Sequence, residues 1–272
     1  MVKLILILCF CIGSVLANPK IDYEIISLLG VKDYKINQKF IQRLFQNEND
    51  FIDKEGEADL YKISQTLKQN GLLKIIFNAP MELQTTFNVA GNPLAFTSAL
   101  YDILGAMGYY YFITQQSILK ESSYHLTLLM NTEYAIDPVL LQEHLKNYGY
   151  KILKIKKGDT NKWDYEVQEK TIKYPRATFL EPFQKQEKAN LSGEYWYQIS
   201  EGNILSVTSN NASPWYPKIV FFNEKLQILD IFTQATEVRK IRVKIPKSTT
   251  FIKISDSYLP IITKNGLTVE LQ

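Results

Sequence analysis

Cysteine is almost absent from this 272-residue chain: there are two, Cys9 and Cys11, both close to the N-terminus. Beyond them there is no thiol, which excludes disulfide frameworks, thiol proteases, redox CxxC motifs and zinc ribbons together. Histidine is equally scarce, with His125 and His144 alone, and neither belongs to a His-Glu-x-x-His or any similar metal-ligand spacing. Arginine is rare beside lysine: Arg43, Arg176, Arg239 and Arg242 are the four among 31 cations. Phosphate and base recognition favours the rigid guanidinium fork, so no nucleic-acid partner is expected. There is no Walker loop, no dinucleotide fingerprint and no Gly-x-Ser-x-Gly elbow. No apolar run after the first residues is long enough to cross a bilayer, so no transmembrane span is expected.

What is present is ordinary globular composition, 46% hydrophobic, 22% charged and 12% aromatic. The length accommodates one large domain or two to three small ones. Residues 1–17 read as a secretory signal peptide. Lys3 supplies the positive start, Leu4 to Ile12 the apolar region, and Ser14-Val15-Leu16-Ala17 the short side chains of a cleavage site after Ala17. The apolar stretch is too short for a membrane anchor. Both cysteines leave with it, and removal of Lys3 leaves 30 cations against 28 acids, a net +2. A soluble periplasmic protein is the expectation.

Residues 18–80 read as mainly helical. Ile36, Phe40 and Leu44, joined by Ile41 and Phe45, form one apolar stripe, and Leu60, Ile63 and Leu67 another. Leu72 to Phe77 looks like a short strand. Residues 81–169 carry the clearest pattern. Leu83, Thr85, Phe87 and Val89 alternate as a strand, and Asn92-Pro93 starts a helix carrying Phe96, Leu100, Ile103 and Met107. A strand at Tyr109–Ile113, a loop near Ser117–Ser122 and a strand at Tyr124–Met130 follow. Asp137-Pro138 repeats the helix start, Gly149 ends that helix, and strands at Tyr150–Ile155 and Trp163–Val167 flank a turn at Gly158–Asn161. The order β-α-β-β-α-β plus one strand resembles the split βαβ, ferredoxin-like arrangement, and Leu104–Tyr109 echoes Leu145–Tyr150. Residues 170–190, with Pro175 and Pro182, read as a linker. From 191 to 272 eight short strands are expected, the seventh at Leu259–Thr263, which points to an all-β, jelly-roll-like sandwich. The expected class is therefore α+β.

The segment Asp22-Tyr-Glu-Ile-Ile-Ser-Leu-Leu-Gly30, in a Lys-, Asn- and Ile-rich chain, resembles periplasmic proteins of Campylobacter-like Gram-negative bacteria. That resemblance implies a cell-envelope location and supplies no catalytic residues.

The chemistry-bearing motifs are few. Ser117-Ile118-Leu119-Lys120 matches Ser-x-x-Lys, whose acylation chemistry needs the lysine one helical turn beyond the serine; here it lies between strands, without Ser-Asp-Asn or Lys-Thr-Gly. Glu48, Asp50, Asp53, Glu55, Glu57 and Asp59 cluster without the register of a calcium loop. Lys240, Arg242 and Lys244 share one strand face, which is either a solvated face that discourages edge pairing or a stripe for anionic polymer. The partner-facing candidates are aromatic: Tyr195 and Trp196, and above all Trp215 and Tyr216 between Pro214 and Pro217. Either Trp215 is a stiff exposed tip that anchors a partner or a glycan, or it is a plug closing the sandwich core. No catalytic constellation, metal site or cofactor is expected. The leading reading is a non-catalytic protein that binds other envelope proteins. Glycan or peptidoglycan binding through the sandwich is the alternative, and a hydrolase with unplaced carboxylates is the third.

Overall fold

The computed structural model describes residues 19–120, 123–158, 161–171, 173–174, 177–210 and 213–272. The expected signal peptide lies outside these residues, as do the middle of the 158–161 turn and Asn211. The architecture is mixed α+β, as expected.

Three helices come first: α1 (Pro19–Leu29), α2 (Val31–Leu44) and α3 (Leu60–Gln69). On α3 the expected stripe of Leu60, Ile63 and Leu67 is buried. On α2 the stripe is buried only in part: Ile41 and Phe45 face inward with Tyr34, and Leu44 packs beside them, but Ile36 and Phe40 are exposed. Tyr34 and Ile41 share one core with Ile21, Ile25 and Leu28 of the neighbouring α1.

The first sheet contains β1 (Ile76–Ala90), β2 (Ile113–Lys120), β3 (Ser123–Tyr134), β4 (Tyr150–Lys157) and β5 (Lys162–Glu169), in the order β2-β3-β1-β5-β4. Two helices pack on one face, α4 (Pro93–Ala106) and α5 (Pro138–Asn147). Their starts behave as the sequence anticipates. The Asn92 side chain accepts the N–H groups of Leu94 and Ala95, and Asp137 accepts that of Val139. Leu83, Phe87 and Val89 point to these helices and meet Phe96, Leu100, Leu126, Leu128, Leu141 and Leu145.

Three details differ from expectation. The two short strands around Pro80 are one long β1. The strand after α4 begins at Ile113, so Ser117–Lys120 lies within β2 and not in a loop. The last two strands form a hairpin whose second member, β5, inserts beside β1 and runs parallel to it, pushing β4 to the edge. A four-strand ferredoxin-like sheet would have no such parallel central pair. Gly149 closes α5 at φ +84°, and a Cβ there would lie 1.5 Å from the Thr171 carbonyl oxygen. The turn is thus specified by tertiary crowding as well as by backbone conformation. The buried side chains of α1–α3 belong to the same core as this sheet, so the helical region and the α/β region are continuous.

The C-terminal part is two facing sheets. One holds β6 (Thr178–Phe179), β8 (Tyr195–Gln198), β10 (Pro217–Phe222), β11 (Ile228–Thr233) and β13 (Phe251–Asp256), in the order β11-β10-β13-β8-β6. The other holds β7 (Lys185–Lys188), β9 (Ile204–Ser209), β12 (Lys240–Lys244) and β14 (Leu267–Leu271), in the order β12-β9-β14-β7. Two expectations are corrected here. Residues 170–190, read as a linker with Phe179, Leu180 and Phe183 packing on a neighbouring domain, contribute strands to the sandwich itself: β6 pairs with β8, β7 pairs with β14, and Leu180 is fully buried. Leu259–Thr263 is not a strand either. It forms α6 (Pro260–Lys264), where Pro260 at the first helical position starts a helix and removes a ladder donor.

Trp215 is the plug. It is 0% exposed, sits in the sandwich core, and exchanges two 3.0 Å backbone hydrogen bonds with Val238. Its flanking prolines mark the start of β10, a position where a strand tolerates proline, and not a projecting tip.

Trp215→Ala is therefore expected to cost roughly 3–5 kcal/mol of stability, read as a large fall in the melting temperature. A melting curve superimposable on wild type would contradict this placement. The strand pairing makes a second prediction. A fragment comprising 177–272 should melt cooperatively, whereas 188–272, which loses β6, most of β7 and Leu180, should be molten or insoluble, because burial of one leucine alone is worth about 2–5 kcal/mol of the usual ~5–15 total.

Candidate functional site

The sandwich aromatics divide once placed. Tyr195 is core, its hydroxyl donating to the Thr263 carbonyl at 2.5 Å. Trp196 is half-buried where the sandwich meets the α/β part, stacked on Phe222 and packed against Tyr174 at 4.6 Å. Tyr216 alone remains near the surface, edge-on to Tyr258, whose ring is 68% exposed. The Asp256 carboxylate holds this pair, accepting the N–H groups of Tyr216, Tyr258 and Leu259. The expected partner-binding set of Tyr195, Trp196, Trp215 and Tyr216 is thus not a single exposed surface, because three of its four rings fill the interior or the junction.

Three acids of the cluster are paired with lysines, Asp59 with Lys62, and Asp53 and Glu55 with Lys151. Lys151 on β4 donates to Asp53 and Glu55, each at 2.8 Å, and the Asp53 carboxylate also accepts the N–H groups of Glu55 and Glu57. The lysine hydrogen bond, more than any other contact, holds the Asp53 carboxyl below its ordinary range. This corner borders a cleft of about 630 Å³ lined by Tyr61, Glu143, Lys146 and Lys170, with mixed charge. No group of three or more His, Cys, Asp or Glu side chains among the described residues could hold a metal ion.

Ser117 and Lys120 sit on one strand at an odd separation, so their side chains leave opposite faces of the sheet. Ser117 Oγ is 2.9 Å from the Tyr124 hydroxyl, and the acyl-transfer geometry of Ser-x-x-Lys does not form. His144 ends α5, in its last turn. His125 is better furnished: Nδ1 lies 2.5 Å from Asn88 Oδ1 and Nε2 lies 3.1 Å from Ser123 Oγ.

The feature that sequence reading missed is β2 itself. All eight of its residues are exposed, including Ile113, Ile118 and Leu119, and the preceding Tyr110 and Tyr111 are 72% and 90% exposed. It is held on one side by β3 and by hydroxyl contacts, Thr114 with Tyr101 and Ser117 with Tyr124. Its other side is an open row of backbone donors and acceptors. Three other edges are guarded by several charges: β4 carries Lys151, Lys154, Lys156 and Lys157, β12 three cations, and β7 Lys185, Glu187 and Lys188, whereas the β11 edge has Asp230 alone among exposed Ile228, Leu229 and Ile231. β2 likewise has a single charge, Lys120, but holds it at its very end, and β2 is the longer of the two strands. Uncharged, flat edges are templates for another strand, and folded proteins ordinarily blunt them. The signal available in sequence was the run Tyr109-Tyr110-Tyr111 leading into a stretch with one charge.

No family model matches this chain, and no curated protein matches it. Among solved structures it is similar to accessory secretory protein 1, 2 and 3 of Streptococcus pneumoniae, at 11% identity over 34% of this chain and 82% of that one, with a TM-score of 0.20. It is also similar to the Glycosylation Associate Protein (Gap123) complex of Streptococcus agalactiae, at 15% identity over 46% of this chain and 40% of that one, again with a TM-score of 0.20. Likeness this slight carries neither fold nor task over to the present chain.

Proposed function

We propose that this chain is an exported, non-catalytic component of a cell-envelope assembly that binds another protein by adding one of its extended segments to β2. The observation that carries the reading is the wholly exposed edge strand, whose single charge is Lys120 at its end. Strand addition gains affinity from backbone hydrogen bonds and specificity from alternate side chains. Here Ile113 and Ile118 lie on one face of β2 and Leu119 on the other, with Tyr110 and Tyr111 at the entry. The fitting partner is a segment of alternating apolar residues with low charge. Export rests on Lys3, the apolar Leu4–Ile12 and the small residues before Asn18. A stacking platform for glycan on the sandwich lacks its anchor, because the Trp215 indole is interior.

The test is hydrogen exchange on the purified complex between the tagged protein and its envelope partner. Amides of 113–120 should become protected, and Leu119→Lys, a surface change worth within about 0.5 kcal/mol of stability, should weaken the complex at least about tenfold. Protection confined to other elements would overturn the reading. A second copy pairing at this edge would show itself as a concentration-dependent dimer.

A second reading rests on Ser123, His125 and Asn88, whose contacts follow the order of nucleophile, base and orienting amide. An asparagine can orient the ring but cannot stabilise an imidazolium by charge. A fluorophosphonate probe should label Ser123 if this trio performs acyl transfer; a chain unlabelled after prolonged exposure does not.

A further inference from the structure

We infer that the outer face of β12 is a separate binding surface for a linear anionic polysaccharide. Arg239, Lys240, Arg242, Lys244 and Lys247 fall within nine residues, all exposed, with no acid between them. The formal charge of the whole chain is only +3, so the rest of the molecule is net acidic and this segment is a concentrated exception. Strand geometry puts Lys240, Arg242 and Lys244 on one face, at intervals of about 6.8 Å. Their partners Ile241 and Ile245 are buried in the sandwich. Across the sheet the cations lie beside Thr208, Ser206 and Ile204 of β9, with Thr268 and Glu270 of β14 beyond, and the Glu270 carboxylate accepts from the Gln272 side-chain amide at 3.2 Å. Arg242 Nη2 donates to Gln272 Oε1 at 2.7 Å, which fixes the guanidinium before any ligand arrives.

Edge protection alone does not account for this pattern. On β4, Lys151 is paired with Asp53 and Glu55, Lys154 lies 3.8 Å from Glu166 and Lys157 lies over the Trp163 ring, which leaves Lys156 as the one lysine of that strand without such a contact among the described residues. On β7, Glu187 separates Lys185 and Lys188. Charges that only discourage edge pairing can be neutralised in this way without losing their effect. On β12 none of the five cations forms an ion pair among the described residues. Unpaired cations in a row match anionic groups recurring along a polymer, and the adjoining Thr208 hydroxyl suits a sugar hydroxyl, while that of Thr268 donates to Asn210. A membrane surface fits less well. Ile241 and Ile245 are turned inward, so the stripe offers no apolar side chain for insertion.

The probe is heparin, titrated against the full chain at several salt concentrations. Wild type should bind, with an affinity that falls steeply with salt. The triple variant Lys240→Gln, Arg242→Gln, Lys244→Gln should bind at least about tenfold more weakly, with a log–log salt slope shallower by roughly three. Its melting temperature should be unchanged, since the three side chains are exposed; Arg242→Gln alone should give a proportionate, smaller loss. The charge-matched control Lys154→Gln, Lys156→Gln, Lys157→Gln on β4 should bind heparin as wild type does. Equal weakening by both triple variants would reduce the effect to net charge and overturn the proposal. So would failure of wild type to bind, or stripe-dependent binding to phosphatidylglycerol vesicles without binding to heparin.

Discussion

Everything in the α/β part hangs on β1 and its two unlike partners. It pairs antiparallel with β3 from Met81 to Val89 and parallel with β5 from Gln84 to Ala90. Along it, Leu83, Thr85, Phe87 and Val89 enter the core while Gln84, Thr86 and Asn88 face the opposite side. A slip of one residue in either ladder would exchange the two sets. Phe87 secures the register by stacking on Tyr165 of β5 at 5.2 Å and tilting against Phe96 of α4 at 5.7 Å. In a chain whose described residues contain no cysteine, that aromatic core does the holding that a cross-link would do elsewhere.

None of the sheets closes on itself, so each leaves two edges exposed to other strands. The molecule treats these edges unequally. Lysines protect β4 and β12, mixed charges protect β7, and β11 has Asp230 among Ile228, Leu229 and Ile231. The edge at β2 carries almost nothing. β2 and β12 differ in their chemistry: one has unguarded backbone, the other unpaired charge.

The sandwich does not float free of the α/β part. Ala95 of α4 packs with Tyr174, Leu226 and Phe251, joined by Trp196 and Phe222, and the Asn92 side chain donates to the Lys225 carbonyl at 2.8 Å. Asn92 thus caps α4 and touches the sandwich together. Trp196, a partner candidate on sequence grounds, is spent on this junction, and the Lys253 ammonium over its ring covers the remaining face.

Much of the local structure was legible from the order of residues. Alternation marked β1, β3 and β5; Asn92-Pro93 and Asp137-Pro138 marked helix starts; Gly149 marked a stop. These signals act over a few residues, through backbone conformation and side-chain reach, so a linear reading contains them. The rest depended on contacts between residues far apart. Which of two similar strands would lie beside β1 was decided by the pairing of residues 84–90 with 162–168. Ile36 and Phe40 obeyed helical periodicity yet faced water, because α2 meets the core through Tyr34 and Ile41. Trp215 looked like a tip because prolines flank it, and became a core plug because Val238 pairs with it. The exposure of β2 had no local cause at all: it is an edge only because the chain, once folded, brings no further strand to it.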